Sequence, residues 1–314
     1  MLKNHFKIQF LTFLLLIGFS IIEADEDDIR DKIEDCLSSN GGKVNGSDIM
    51  LLPKELGFSG ASLVWAAKIS HIDVAVKICM YNDLIKNELA VYRALNAVGN
   101  PKIEEKGIPN VYEIGKLFGY NPFIAITRFD GNVQDRLKNG FTMFGIVYVF
   151  LHSVKALSYI HSKGVIHNDI KPENIFIRGN AVFISDFDNA ALPGKIHKIA
   201  TRKFASSGWW AGNNRRAMDD LESLVYTIWY MVGINSFEPE GLVMKKKSAN
   251  GKKAFVLEKC KYFARFEKVH KACNFICNDE MLSGKATPNH AKIVEQLEEA
   301  LAEVKRVTKQ TQFE

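Results

Sequence analysis

The sequence predicts an α+β fold, with short β-strands concentrated ahead of Asp130 and helices dominating the chain beyond it. Strand-length apolar stretches carry the first half of that reading. Leu56 to Ile69 alternates about a turn, Val74 to Lys77 is largely β-branched, and Val111 to Phe118 and Phe123 to Phe129 come next before Asp130-Gly131-Asn132 breaks the pattern. A single helical stretch, about Asn82 to Leu95, interrupts them; Leu84, Leu89, Val91, Tyr92 and Leu95 form its apolar side. After Asp130 the period becomes helical. Phe141 to Lys163 ends at Gly164, a good C-cap, Asp220 to Val232 is a second helix, and Phe255 to Leu301 reads as further helices, the last opened by Pro288-Asn289-His290. Between these, Ile175 to Ile177 and Val182 to Ile184 flank the turn Arg178-Gly179-Asn180 and form a hairpin.

A chain of 314 residues, 47% hydrophobic and 25% charged, has ample core for one large or two small domains. A net charge of +5 permits anionic partners. Basic residues interleaved with aromatic stacking platforms are missing, as is any zinc-ligand pattern, so nucleic acid is not an expected partner. The five cysteines, Cys36, Cys79, Cys260, Cys273 and Cys277, are an odd number and read mostly as buried thiols.

The N-terminus has its own character. Lys3 and Lys7 precede an apolar run from Ile8 to Ile22, and Gly18, Ser20 and Ala24 are small residues suited to cleavage. Residues 1–24 therefore read as a secretory signal peptide, and the protein as secreted or resident in the secretory pathway. The run is short of the roughly 20 residues of a spanning helix, so an uncleaved membrane anchor is the alternative and a cleaved chain would have no stable span. Asn45-Gly46-Ser47 is a glycosylation sequon consistent with that route. Residues 25–49, acidic and then rich in Ser, Asn and Gly, read as a flexible linker with room for a short helix near Ile29 to Leu37. The folded domain is expected over 50–305, with 306–314 a tail.

The chemistry concentrates between Val165 and Asp188. The hairpin lifts polar residues off both its ends, so that His167, Asp169, Lys171, Asn174 and Asp186 converge on one small volume. Phosphoryl transfer needs such a set: a carboxylate to accept a hydroxyl proton, a cation near the moving group, and an amide with a second carboxylate to hold magnesium. An acidic surface hairpin is the bland reading. The segment resembles the catalytic loop and metal-binding motif of protein kinases, His-x-Asp-x-Lys-Pro-x-Asn followed by Asp-Phe-Gly. The resemblance implies a two-lobed fold, a small antiparallel sheet with one helix over 50–129 and a larger, mainly helical lobe over 130–305. It makes Asp169 the base, Lys171 the partner of the γ-phosphate, and Asn174 and Asp186 the metal ligands. Lys77, ending its β-branched run, becomes the lysine that contacts the α- and β-phosphates, paired with Glu88 on the following helix.

The same resemblance assigns Leu56 to Val64 to the glycine-rich loop over ATP. Gly57 stands at the first glycine position, Ser59 and Ser62 at the other two, Gly60 is an extra small residue, and Val64 and Ala75 complete that side of the ATP site. Thr127 would guard the back of the adenine pocket, with Arg128 to Asp130, Phe129 included, supplying backbone contacts. The chain departs from the pattern at Asp188, where the usual glycine would stand; this removes a backbone hinge and implies a motif less free to invert.

Ala200-Thr201-Arg202-Lys203-Phe204-Ala205-Ser206 and Arg215-Arg216-Ala217-Met218-Asp219-Asp220-Leu221-Glu222-Ser223-Leu224 narrow the resemblance to the casein kinase I group. In that group Thr201 would face Asp169, and Asp220 would tie its helix to the catalytic-loop backbone. A plain N-cap is the simpler role for Asp220. Lys245 to Lys247 with Lys252 and Lys253 form either a solvated loop or an anion site, the second suiting acidic or already phosphorylated substrates. The expectation is an ATP- and Mg2+-dependent serine/threonine protein kinase, monomeric, acting on a protein substrate. A choline- or aminoglycoside-type small-molecule kinase and a pseudokinase acting as a binding module are the alternatives. ATP is scarce outside cells, so an exported kinase would act within the secretory pathway or inside a cell that receives it.

Overall fold

In the computed structural model, the structure describes residues 26–59, 62–80, 82–119, 121–193, 201–213, 215–233, 260–281 and 285–309. The signal-peptide residues, the tip of the glycine-rich loop at Gly60 and the lysine cluster 245–253 lie outside them. The chain forms two compact units, one of residues up to 89 together with 111–128, the other of residues 90–110 and 129 onward.

The first unit is built on a five-stranded antiparallel sheet of order β1-β2-β3-β5-β4, with β1 Ile49–Ser59, β2 Ser62–Ile69, β3 Ile72–Cys79, β4 Val111–Leu117 and β5 Asn121–Thr127. The register Val64↔Lys77 and Lys77↔Ile124 sets Lys77 in the central strand. Burial on the pleated face explains the run of Val74, Val76 and Ile78, none of which is exposed.

The linker expected over residues 25–49 is instead a helix, α1 Glu26–Asn40, with a short turn into β1. Composition misled here because it averages over faces. Ile29 and Ile33 are fully buried, and Cys36 and Leu37 pack on the same core with Val44, Ile49 and Leu51, an apolar stripe at i, i+4, i+7 and i+8. Glu26, Asp27 and Asp28 occupy the first turn, where carboxylates favour the helix dipole. Arg30 forks onto both Glu55 oxygens at 3.0 Å, tying α1 to β1. At Gly42, φ is +82° and an added Cβ would sit 2.2 Å from the Leu51 carbonyl oxygen, so the turn out of α1 requires glycine. The packed unit therefore includes residues well ahead of Met50, from Glu26 on among the described residues.

The second helix, α2 Asn82–Ala94, leads from the first unit into the second. There a small sheet of order β6-β7-β8 (Gly131–Asn132, Ile175–Arg178, Ala181–Ile184) carries the predicted hairpin. Short helices α3 Val133–Arg136 and α5 Ser207–Trp210 accompany the long ones: α4 Met143–Ser162, α6 Ala217–Met231, α7 Glu267–Asn274 and α8 His290–Thr308. Helix α4 is long and apolar enough to cross a membrane, but 67% of its apolar window is buried in this unit, with Val149, Val154, Leu157 and Ile160 in the core. Gly164, at φ +71°, comes just after its last turn. Asn289 caps α8 by accepting from the Lys292 N–H, and α8 runs through Thr308, so part of the expected tail is helical.

Candidate active site

The residues expected at the site fall in both units, and each group is described within its own unit. In the first, the Lys77 ammonium meets Glu88 Oε2 at 2.8 Å. The lysine side chain is 8% exposed and the glutamate 1%, so the pair is buried and each charge depends on the other. Thr127 is fully buried at the end of β5, opposite Val74, and Ala75 is 5% exposed beside it. Gly57 pairs with Val64 in the β1–β2 hairpin, and a Cβ added to it would meet nothing within 4 Å. The β1–β2 register shifts between Glu55 and Gly57, so the glycine sits at an irregular point of the strand. Ser62 is 3% exposed and pairs with both Ser59 and Cys79.

In the second unit, four of the five expected side chains are buried or half-buried in one hydrogen-bonded cluster. Asp169 receives Lys171 Nζ at 2.8 Å on Oδ2 and the Thr201 N–H at 2.8 Å on Oδ1. Lys171 also donates to Thr201 Oγ1 at 3.1 Å. Burial pushes the Asp169 carboxyl upward, but the Lys171 ammonium and the Thr201 bonds outweigh it and hold the group below its ordinary 3.8. Lys171, for its part, loses stability as a cation through burial and regains more from Asp169, so its ammonium is held above 10.5. Asn174 donates Nδ2 to the Asp169 carbonyl at 2.9 Å, which turns its Oδ1 the other way as an acceptor. His167 Nε2 reaches the Ser185 carbonyl at 3.2 Å and supports the backbone leading into Asp186.

Asp186 itself is half-buried and sits at φ +69°, a left-handed conformation that costs a non-glycine residue on the order of 1 kcal/mol. Packing of the next residue holds it there. Phe187 is fully buried, edge-on to Tyr92 at 5.2 Å and 5.0 Å from the His167 ring. Inversion of this motif would have to expose that ring.

Helix α6 fixes the loop from below. Asp220 accepts the backbone N–H groups of His167 and Asn168, each at 2.8 Å, and His161 Nε2 lies 2.9 Å from it. Burial raises the Asp220 carboxyl, yet these partners bring it below its ordinary value, so a buried anion is stable there. The helix cap falls to its neighbour: Asp219 accepts the Arg216 N–H at 2.8 Å and the Ser206 hydroxyl at 2.8 Å. Glu222 receives the Ser207 N–H at 2.9 Å and its hydroxyl at 3.1 Å, binding the segment after Thr201 to α6.

One of the residues expected to supply backbone contacts to adenine has its N–H engaged elsewhere. The Asp130 N–H donates to the Ile177 carbonyl at 2.9 Å and its carboxylate takes the Gly179 N–H at 2.7 Å, so Asp130 belongs to the small sheet and has no backbone donor to spare. The Phe129 ring stacks on Phe176 at 4.7 Å. Sequence reasoning also passed over Asn168 and Arg215. Asn168 sits at φ +68°, donates to the Asn189 carbonyl and accepts from Arg215 Nε at 2.9 Å, while Arg215 also bonds its carbonyl at 2.7 Å. An asparagine between His167 and Asp169, being one of the few residues at ease with positive φ, was the available signal.

Residues 108–234 match the protein kinase domain family. A relative described as a "Probable casein kinase I homolog", from Encephalitozoon cuniculi, is 30% identical over 185 residues, which cover 54% of this chain and 56% of that relative. The matched stretch spans little more than half of the relative's length. Asp169, Lys171, Asn174, Asp186, Thr201 and Asp220 all fall inside the residues that match the family.

Proposed function

We propose that this protein transfers the γ-phosphoryl group of ATP to serine or threonine hydroxyls of a protein substrate, in the manner of casein kinase I. The observation that carries the reading is the arrangement at Asp169. Its carboxylate is kept ionised at neutral pH by Lys171 and the Thr201 N–H, as a base accepting a hydroxyl proton needs to be. Lys171, two residues on, is placed to neutralise charge on the transferred group, and Lys77, held by Glu88, would neutralise the α- and β-phosphates. Asn174 and Asp186 offer hard oxygen donors, an amide oxygen and a half-exposed carboxylate, which suit Mg2+ and no softer ion. Bound there, Mg2+ would neutralise phosphate charge. Gly57, with open space where a side chain would go, suits a backbone that lies close over phosphate.

The protein is further proposed to enter a secretory pathway. Lys3, Lys7 and the apolar run Ile8 to Ile22 support this, and the sequon residue Asn45 is exposed in the turn between α1 and β1. Mass spectrometry of the mature N-terminus tests it: loss of residues 1–24 is expected, and an intact Met1 on exported or membrane-bound protein would refute cleavage.

Radiolabelled ATP tests the activity. Offered acidic proteins, choline and aminoglycosides together, the chain should label protein on serine or threonine. Label on the small molecules would replace the reading with a metabolite kinase, and no label with nucleotide still bound would make it a binding module. Asp169→Asn, which keeps shape and removes the base, is the control that must abolish the signal.

A further inference from the structure

Away from the catalytic machinery, the chain brings three thiols to one buried point. Cys273 and Cys277 stand four residues apart where α7 passes into a π-helical turn, Phe275–Met281. Cys260 comes to them from thirteen residues upstream of Cys273, just before the short 3-10 turn Lys261–Phe263. The Cys260 and Cys273 sulfurs are 2.7 Å apart, those of Cys273 and Cys277 4.0 Å, and all three lie within 4.8 Å of one another. Their exposures are 1%, 6% and 0%. The neighbours are apolar: Trp229, Phe263, Val269 and Ile276 line the adjoining space with Cys273 and Cys277.

Buried single thiols behave as small hydrophobes, but three sulfurs aimed at one another present a common face of soft donors. A disulfide would use two of the sulfurs and strand the third in apolar surroundings. A cation uses all three. Among the described residues no carboxylate belongs to the cluster, which excludes Mg2+ and Ca2+ and selects soft ions. Zinc–sulfur bonds of about 2.3 Å in tetrahedral geometry put sulfurs about 3.8 Å apart; the Cys273–Cys277 separation of 4.0 Å is close to that, and the Cys260–Cys273 pair at 2.7 Å would open by about 1 Å. A water would complete a tetrahedron, whereas Cu+ is content with three thiolates.

We infer that Cys260, Cys273 and Cys277 form a structural site for a thiophilic d10 cation, Zn2+ or Cu+. Bound metal would clamp Cys260 onto α7 and would stabilise the fold by mass action.

The full chain, reduced and stripped with a chelator under argon, is titrated separately with Zn2+ and Cu+. One equivalent of one of these ions should bind, raise the melting temperature by several degrees, and protect Cys260, Cys273 and Cys277 from alkylation while leaving Cys36 unchanged. Cys273→Ser should lose that equivalent and Cys36→Ser should keep it. If Cys273→Ser fails to fold, the alkylation pattern of the native chain decides alone. Absence of stoichiometric binding of both ions, binding that survives Cys273→Ser, or a Cys260–Cys273 disulfide in protein isolated without reductant would each overturn the site.

Discussion

Asp169 and Thr201 are joined by a backbone bond, the Thr201 N–H donating to Asp169 Oδ1 at 2.8 Å while Lys171 holds the other oxygen at 2.8 Å. The carboxylate is thereby oriented from two sides and kept below 3.8. Asp169→Asn should lower kcat by about 10²–10⁴-fold with little change in the KM for ATP. Lys171→Met should also lower kcat, and it should leave a diagnostic trace. Without the ammonium, burial dominates and the Asp169 pKa rises, so the acid limb of kcat/KM moves to higher pH. A pH–rate profile with an unmoved acid limb would separate Lys171 from this role.

The buried pair Lys77–Glu88 makes a second prediction, because loss of one partner leaves the other charge unsolvated. Lys77→Met and Glu88→Leu should each destabilise the protein by about 3–5 kcal/mol in denaturant unfolding. The double variant should recover much of that stability and none of the activity. Full recovery of both would mean that the pair serves packing alone.

The cluster around Asp169 was legible because its polar residue types crowd into one short segment, and because a hairpin with a clear turn, Arg178-Gly179-Asn180, sets their positions. The antiparallel sheet and the helices after it were legible from period alone. Other features depend on partners far along the chain. Nothing near Asp130 announces that its N–H is taken by Ile177, and nothing near Cys260 announces Cys273. Helix α1 was read in part: a short helix near Ile29 to Leu37 was expected, but acidic composition hid that its stripe of Ile29, Ile33, Cys36 and Leu37 packs into the core.

That helix is therefore worth a direct test. Ile33 is fully buried against the sheet, and Ile33→Ala should cost about 2–5 kcal/mol. Deleting residues 26–40 should expose Ile49 and Leu51 and yield aggregated protein. Equal unfolding midpoints for Ile33→Ala and the parent chain would return this segment to the status of a linker.

His290 offers a prediction in pH. Its ring lies 2.9 Å from His161, which in turn lies 2.9 Å from Asp220, so one chain of bonds runs from α8 to the catalytic-loop backbone. Burial and the neighbouring His161 lower the His290 pKa to about 4, with Asp220 opposing them weakly. An unfolded histidine titrates near 6.5. Between about 4 and 6.5 the unfolded chain therefore binds more protons than the folded one, and stability falls as pH drops through that window. The melting temperature should decline from pH 7 to pH 4.5 more steeply in the parent chain than in His290→Asn, which keeps a hydrogen-bonding side chain and cannot titrate. Because Asp220 holds the His167 and Asn168 N–H groups, activity measured below the melting range should weaken over the same interval in the parent and less in the variant. Parallel curves for the two proteins would locate the acid sensitivity elsewhere.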